Sequence, residues 1–119
     1  MISHEELVAA LQKPGADLMA QMTPEKADLN HMALGVAGET GELIDAIKKY
    51  TMYAKKIDRE NVIEELGDME FYLQGIRRIL GISREETLQA NIAKLSKRYE
   101  GLQYTDQRAH DRADKMENK

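Results

Sequence analysis

The chain has 119 residues, of which 42% are hydrophobic and 32% charged, and its formal net charge is −4. This length fits a single domain over residues 1–119. The absence of cysteine excludes disulfides, zinc–thiolate sites and thiol nucleophiles. The acidic balance argues against a polymeric nucleic acid partner, because binding to such a partner requires a basic face. The apolar runs are too short to span a bilayer and the N-terminus lacks the features of a signal peptide, so we expect no membrane partner and a cytoplasmic protein.

The first half of the chain predicts one short and one long helix. Apolar residues recur at the three-to-four spacing of a helix, and no run alternates as in a half-buried strand. The Ser3-x-x-Glu6 pattern is typical of a capping box, and it opens a short helix that Pro14 stops. Thr23 directly before Pro24 is an N-cap followed by proline at the first helical position. The long helix that begins there is predicted over 24–50.

The second half predicts two further helices and a polar tail. A helix over 59–80 ends with Gly81 at its C-terminal cap. The Ser83-x-x-Glu86 pattern opens a last helix that ends at Gly101. The sequence therefore predicts an all-α helical bundle of long antiparallel helices, with its core at about 24–101. Residues 102–119 are predicted to be an extended or weakly helical C-terminal arm.

Two pairs of acidic residues stand out on the long helices. Glu39 and Glu42 are three residues apart, as are Glu65 and Asp68, so each pair lies on one face of its helix. The 22 residues between Glu42 and Glu65 are enough to end one helix, turn and start an antiparallel partner. In such a hairpin the four carboxylates converge.

Converging carboxylates repel one another unless a positive charge lies among them. Ligands that are all carboxylates favour hard cations, which are Mg²⁺ or Mn²⁺ and less readily Ca²⁺. A di-iron bundle requires Glu-x-x-His pairs, and none is present. The alternative is that the four acids form solvated helix faces with ordinary salt bridges.

Two segments resemble the MazG-like group of all-α nucleoside triphosphate pyrophosphohydrolases, whose signature is Glu-x-x-Glu followed by Glu-x-x-Asp. They are GVAGETGEL at 35–43 and IEELGDMEFYL at 63–73. The resemblance covers roughly 24–115 and includes NIAKLSKRY at 91–99, which is similar to the family's C-terminal phosphate-handling segment.

The resemblance implies hydrolysis of a small-molecule nucleotide, a (d)NTP, between its α- and β-phosphates, which yields a nucleoside monophosphate and pyrophosphate. It also implies that Glu39, Glu42, Glu65 and Asp68 are metal ligands for Mg²⁺, with Mn²⁺ as a possible substitute. Either Glu39 or Glu42 is then the catalytic residue that orients or deprotonates the attacking water.

The last predicted helix carries candidate phosphate-binding residues. Lys94 and Arg98 are four residues apart on one face, and Asn91 lies one turn earlier on it. Cations in this arrangement suit a departing pyrophosphate. The alternative is an ordinary basic helix surface.

Three questions stay open at this level. The same acids would serve a phosphoribosyl-ATP pyrophosphohydrolase, and a non-catalytic helical oligomerisation module is the alternative outside enzymes. The candidate base-stacking residues are equally good core or surface aromatics; they are Tyr50, Tyr53, Phe71, Tyr72 and Tyr104. Because a single short module exposes apolar bundle surface, we expect a homodimer or homotetramer.

Overall fold

The fold was analysed in a computed structural model that describes residues 1–118, so that Lys119, the last residue of the predicted arm, lies outside the described part. All regular elements between residues 1 and 118 are helical, which confirms the all-α class. The α-helices are α1 (His4–Leu11), α2 (Gly15–Gln21), α3 (Pro24–Thr51), α4 (Arg59–Leu80), α5 (Arg84–Arg98) and α6 (Asp106–Asp111), and the 3₁₀ turns are Glu100–Leu102 and Ala113–Asn118.

The longer helices begin and end where local chemistry predicts. Ser3 and Ser83 each form a reciprocal capping box with the glutamate three residues later. The Thr23 hydroxyl accepts a hydrogen bond from the Lys26 backbone N–H at 3.2 Å. Gly81 ends α4 with a φ of 66°, and the Ile82 N–H donates to the Arg77 carbonyl at 2.9 Å. These bonds satisfy backbone groups that would otherwise be unpaired at the helix ends.

The short helix α2 was not predicted, and α6 is a defined helix within the arm that was predicted to be extended or weakly helical. Helix α2 follows Pro14 without a side-chain cap, so the sequence carries no start signal there. Helix α6 lies inside the predicted arm, and Thr105 caps it by accepting a hydrogen bond from the Arg108 backbone N–H at 3.0 Å. The Arg108 side chain also donates to the Glu100 and Gln103 carbonyls at 2.6 and 3.0 Å. The Thr105 cap and the hydrogen bonds from Arg108 to carbonyls outside the helix therefore order this segment.

The chain divides into two compact units, residues 1–72 and residues 73–119. In the first unit, α3 packs against residues 59–72 of α4. Tyr72 contacts Gly35, and the Glu39 carboxylate lies near those of Glu65 and Asp68. The later residue of α3, Glu39, therefore lies beside the earlier residues of α4, so these helices are antiparallel, as predicted.

In the second unit, the elements that follow α5 along the chain pack against it. The Arg98 guanidinium, near the end of α5, forms an ion pair with Asp114 of the last 3₁₀ turn at 2.8 Å. The side chains are only 15% and 6% exposed. The predicted polar arm is therefore attached to α5 through this pair.

Burial is shallow in both units. Among the residues whose burial the structure describes, Ala46 is the one buried apolar residue, at 5% exposure. Several large apolar side chains are largely exposed, including Leu34 on α3 and Ile63 on α4. Within residues 1–118 none of the helices combines the length and apolar character that crossing a membrane requires.

Candidate functional site

Three acidic side chains meet where α3 faces α4. One carboxylate oxygen from each of Glu39, Glu65 and Asp68 lies within 4.8 Å of the others. Glu39 and Glu65 are half-buried and Asp68 is exposed. The hairpin predicted from the spacing of the acidic pairs therefore forms, and it brings these three residues together.

The two half-buried acids occupy positions in the packed stripes of their helices. On α3 the half-buried stripe includes Met32, Val36 and Leu43, with Glu39 between them. On α4, Glu65 lies in the same way between Val62 and Met69 (both half-buried). Apolar side chains ordinarily fill such positions, because burying a charge is costly unless it is paired. The stripe is interrupted at the same level on both helices.

Hydrogen bonds satisfy the two half-buried carboxyls only in part. The Oε2 atoms of Glu39 and Glu65 are buried and have no hydrogen-bond partner within the described residues. Burial raises the pKa of Glu65, and the neighbouring carboxyls of Glu39, Glu42 and Asp68 raise it further. Both effects disfavour the ionised form. A bound cation would reverse them and would supply the missing partner of the buried oxygens.

Glu42, the fourth predicted ligand, lies outside this group. It is exposed and lies one turn along α3 from Glu39. Its charge still reaches the site, since it contributes to the raised pKa of Glu65. The structure thus places Glu42 at the edge of the acidic cluster, which we define as Glu39, Glu65 and Asp68.

The residues present fit a hard divalent cation. Every donor in the acidic cluster is a carboxylate oxygen, and carboxylates are the protein ligands that Mg²⁺ and Mn²⁺ prefer. The two buried oxygens without a hydrogen-bond partner belong to Glu39 and Glu65, two members of this cluster. Mg²⁺ is typically bound by one or two carboxylates together with water and substrate phosphates, so three acids beside open solvent are a suitable set.

A cleft of about 320 Å³ opens beside the acidic cluster. Its lining combines Glu39 and Asp68 with Phe71 and Tyr72. Sequence reasoning named both aromatics only as members of a longer set of candidates. The signal that singles them out is their position, because residues three and four places after Asp68 lie on its side of α4.

The three predicted phosphate-binding residues lie on α5, in the second unit. Asn91 and Lys94 are exposed. Arg98 is already engaged, since its Nε and Nη2 donate to the Asp114 carboxylate at 2.8 and 3.4 Å. This hydrogen-bonded pair lowers the pKa of Asp114 and raises that of Arg98. Asp114 is a partner that sequence reasoning missed, because no local rule relates residues 16 positions apart.

Comparison with known proteins identifies one family. The model of the MazG nucleotide pyrophosphohydrolase domain matches residues 27–102, which is more than half of the chain. The matched range contains the acidic cluster, Glu42 and the three candidate phosphate-binding residues of α5. Searches of curated proteins and of solved structures gave no match.

Proposed function

Because the chain belongs to the MazG nucleotide pyrophosphohydrolase family, we propose that it is a metal-dependent enzyme that hydrolyses (d)NTPs to (d)NMPs and pyrophosphate. The bond cleaved lies between the α- and β-phosphates. The cofactor is Mg²⁺, with Mn²⁺ as a possible substitute.

The observation that carries the proposal is the acidic cluster within the packed stripe. A helical module whose only role is association gains nothing from two half-buried carboxyls that each keep a buried oxygen without a hydrogen-bond partner among the described residues, because such groups destabilise the packing around them. Grouping oxygen donors within 4.8 Å is useful when they share a cation. The adjoining cleft leaves room for a ligand.

The side chains divide the work between holding the cofactor and preparing the water. The residues that would hold the cofactor are Glu39, Glu65 and Asp68, with Glu42 at their edge. When bound, Mg²⁺ would supply charge neutralisation at the phosphates and a lowered pKa for water. Glu39 and Glu42 are the candidate catalytic residues that orient and deprotonate the attacking water. Of these two, Glu42 has the exposed side chain, so it reaches solvent without disturbing the packing.

The residues of α5 bind the phosphates that leave as pyrophosphate. Lys94 is exposed and charged, and Asn91 lies one turn before it. Arg98 is bound to Asp114 in the structure, so its role requires either exchange of that partner or sharing of its remaining N–H groups. Phosphoryl transfer depends mainly on positioning and charge neutralisation, which is what these three side chains supply.

Product analysis tests the proposal. The purified protein is incubated with a panel of NTPs and dNTPs and with phosphoribosyl-ATP, in Mg²⁺ or Mn²⁺, and the products are separated by ion-exchange chromatography. We expect equal amounts of nucleoside monophosphate and pyrophosphate, with no accumulation of diphosphate. Chelation by EDTA should stop the reaction, and added Mg²⁺ should restore it.

Other outcomes of this panel would overturn parts of the proposal. Orthophosphate as the primary product would place cleavage at the γ-phosphate. Turnover of phosphoribosyl-ATP alone would replace the (d)NTP assignment by the alternative enzyme. The absence of turnover with every substrate and both metals would favour the non-catalytic helical oligomerisation module.

A further inference from the structure

The cleft beside the acidic cluster has one acidic wall and one aromatic wall. We propose that the aromatic wall, formed by Phe71 and Tyr72, binds the nucleoside part of the substrate. This inference rests on the proposed function, because it takes the acidic cluster as the place where the phosphates and their metal bind. It adds the residues that contact the base and separates them from the other aromatics of the chain.

Tyr72 is held in a defined position by its contact with α3. Its ring occupies the space beside Gly35 so closely that a Cβ atom on Gly35 would overlap it. The ring also makes edge contacts with His31, with centroids 6.3 Å apart, and with Phe71, with centroids 5.1 Å apart. Tyr72 is therefore a fixed part of the wall.

Phe71 is the exposed part of the wall. Its side chain is 65% exposed, and its ring stands at 87° to that of Tyr72. A planar base that stacks on the free face of Phe71 would meet the ring of Tyr72 at the side. Stacking of a base on an aromatic side chain contributes roughly five- to a hundred-fold in affinity.

The wall lies at the correct end of the site for a nucleotide. Phe71 follows Asp68 by three residues, which is about 4.5 Å along a helix axis. Base, sugar and α-phosphate follow one another along a nucleotide, so a base at Phe71 directs the phosphates toward the acids. The acidic and the aromatic residues line one and the same cleft.

The exposed tyrosines of this unit, Tyr50 and Tyr53, do not line the cleft beside the acidic cluster. Tyr50 and Tyr53 lie at and beyond the end of α3. The Lys48 ammonium lies 5.7 Å from the centre of the Tyr53 ring, so that ring already has a partner.

The test compares a nucleotide with a ligand that has phosphates but no base. KM is measured for the best triphosphate of the panel, and Ki for inorganic tripolyphosphate as a competitive inhibitor, with wild type, Phe71→Ala, Phe71→Tyr and Leu34→Ala. Leu34 is a matched control, because it is 64% exposed on α3 and does not line the cleft. We expect Phe71→Ala to raise KM by about five- to a hundred-fold and to leave Ki within twofold. Phe71→Tyr keeps an aromatic face and should recover most of the loss in KM, and Leu34→Ala should behave as wild type.

Failure of this inference differs from failure of the proposed function. An inactive wild type would refute the proposed function itself. An active wild type with an unchanged KM in Phe71→Ala, or with KM and Ki raised equally, would overturn the nucleoside assignment. A change in molar mass of Phe71→Ala by light scattering, with KM unchanged, would assign Phe71 to a contact between subunits.

Discussion

Among single residues, Glu39 and Glu65 are the two whose carboxyl groups oppose the packing around them. Each is half-buried in an apolar stripe, and each has a buried oxygen without a hydrogen-bond donor among the described residues. Two charges in this position repel each other and lose hydration. Without a cation, the cluster therefore opposes the packing of α3 on α4.

We expect the Glu65→Gln variant to lose turnover, because one ligand carboxylate becomes a neutral amide. The stability of this variant without metal is a second readout. We also expect it to be at least as stable as wild type without metal, because a like charge leaves the cluster. Thermal unfolding in EDTA, followed by circular dichroism, measures the stability, and product assays measure the turnover.

The adjacent acid provides the control. Glu64 precedes Glu65 on α4, is exposed and points about 100° away around the helix. Glu64→Gln should retain both the activity and the stability of wild type. Near-normal Mg²⁺-dependent activity in Glu65→Gln would remove Glu65 from the ligand set.

At the scale of elements, the packing of α3 on α4 depends on one glycine. We predict that Gly35→Ala lowers the free energy of unfolding by about 1–3 kcal/mol, because its Cβ would overlap the Tyr72 ring. Gly38→Ala on the same helix has nothing within 4 Å of the added Cβ. It should raise the free energy of unfolding by about 0.8–1 kcal/mol through helix propensity. Urea denaturation measures both, and equal effects would contradict the packing role of Gly35.

Helix α5 exposes Lys94 to solvent, and we expect the Lys94 charge to contact a phosphate of the substrate. A charge-assisted contact with phosphate contributes about 1.5–3 kcal/mol, which is roughly a ten- to hundred-fold change in affinity. Lys94→Ala should therefore raise KM for the triphosphate by that factor. Calorimetric titration with Mn²⁺ in the absence of nucleotide should give the wild-type affinity, because Lys94 is not a ligand.

Two variants of α5 complete the test. Lys94→Arg keeps the charge and should recover most of the KM. Arg84→Ala removes an exposed charge at the other end of α5 and should leave KM unchanged. Unaltered kinetics in Lys94→Ala would make Lys94 an ordinary surface residue.

The attachment of the last 3₁₀ turn to α5 depends on pH through Asp114. The hydrogen bonds from Arg98 lower the pKa of Asp114 in the folded protein. The pair therefore stabilises the fold above the ordinary pKa of an aspartate, about 4. Its contribution is lost as the pH falls through the lower pKa of the folded state.

Asp114→Asn should accordingly be less stable than wild type at neutral pH, and the difference should shrink below about pH 4. Urea midpoints from pH 2.5 to 7 measure this difference. Asp111→Asn is the control, because Asp111 is exposed and its hydrogen bond from Gln107 survives the substitution. A difference that does not vary with pH would contradict the ion-pair role.

At the scale of the whole molecule, the exposed apolar side chains indicate association. At the C-terminal end of α3, a cleft of about 380 Å³ is lined by Leu43, Ile44 and Ile47 of the helix, by Met52 just after it and by two polar neighbours, and Ile44 is 58% exposed. On α5, Leu88 and Ile92 are also exposed. Contiguous apolar surface of this kind is typical of protein contacts, so we propose that copies of the chain form a homodimer or homotetramer.

Light scattering coupled to gel filtration tests the association. We expect a mass of at least twice the 13.5 kDa of one chain at tens of micromolar protein. Ile44→Asp should shift the population toward the monomer, because it places a charge in apolar surface. Asp45→Asn, next to it and exposed, should not. A wild-type mass of one chain would contradict the proposal.

The sequence alone was sufficient for the features that local chemistry controls. Helix bounds follow from residues such as Thr23, Ser83 and Gly81, because caps act on backbone groups within a few positions of themselves. The offset of three residues places Glu65 and Asp68 on one face of a helix in any helical context. These local rules, together with the spacing that allows a hairpin, predicted the acidic cluster.

Which side chains meet across elements depends on how the helices pack. The contact of Tyr72 with Gly35 sets which turn of α4 lies against which turn of α3, and this register brings Glu39, Glu65 and Asp68 together while Glu42 remains outside. The pairing of Arg98 with Asp114 likewise joins residues 16 positions apart. The physical reason is that such contacts depend on side-chain volume and charge at the packed surface, which no periodicity along the chain records.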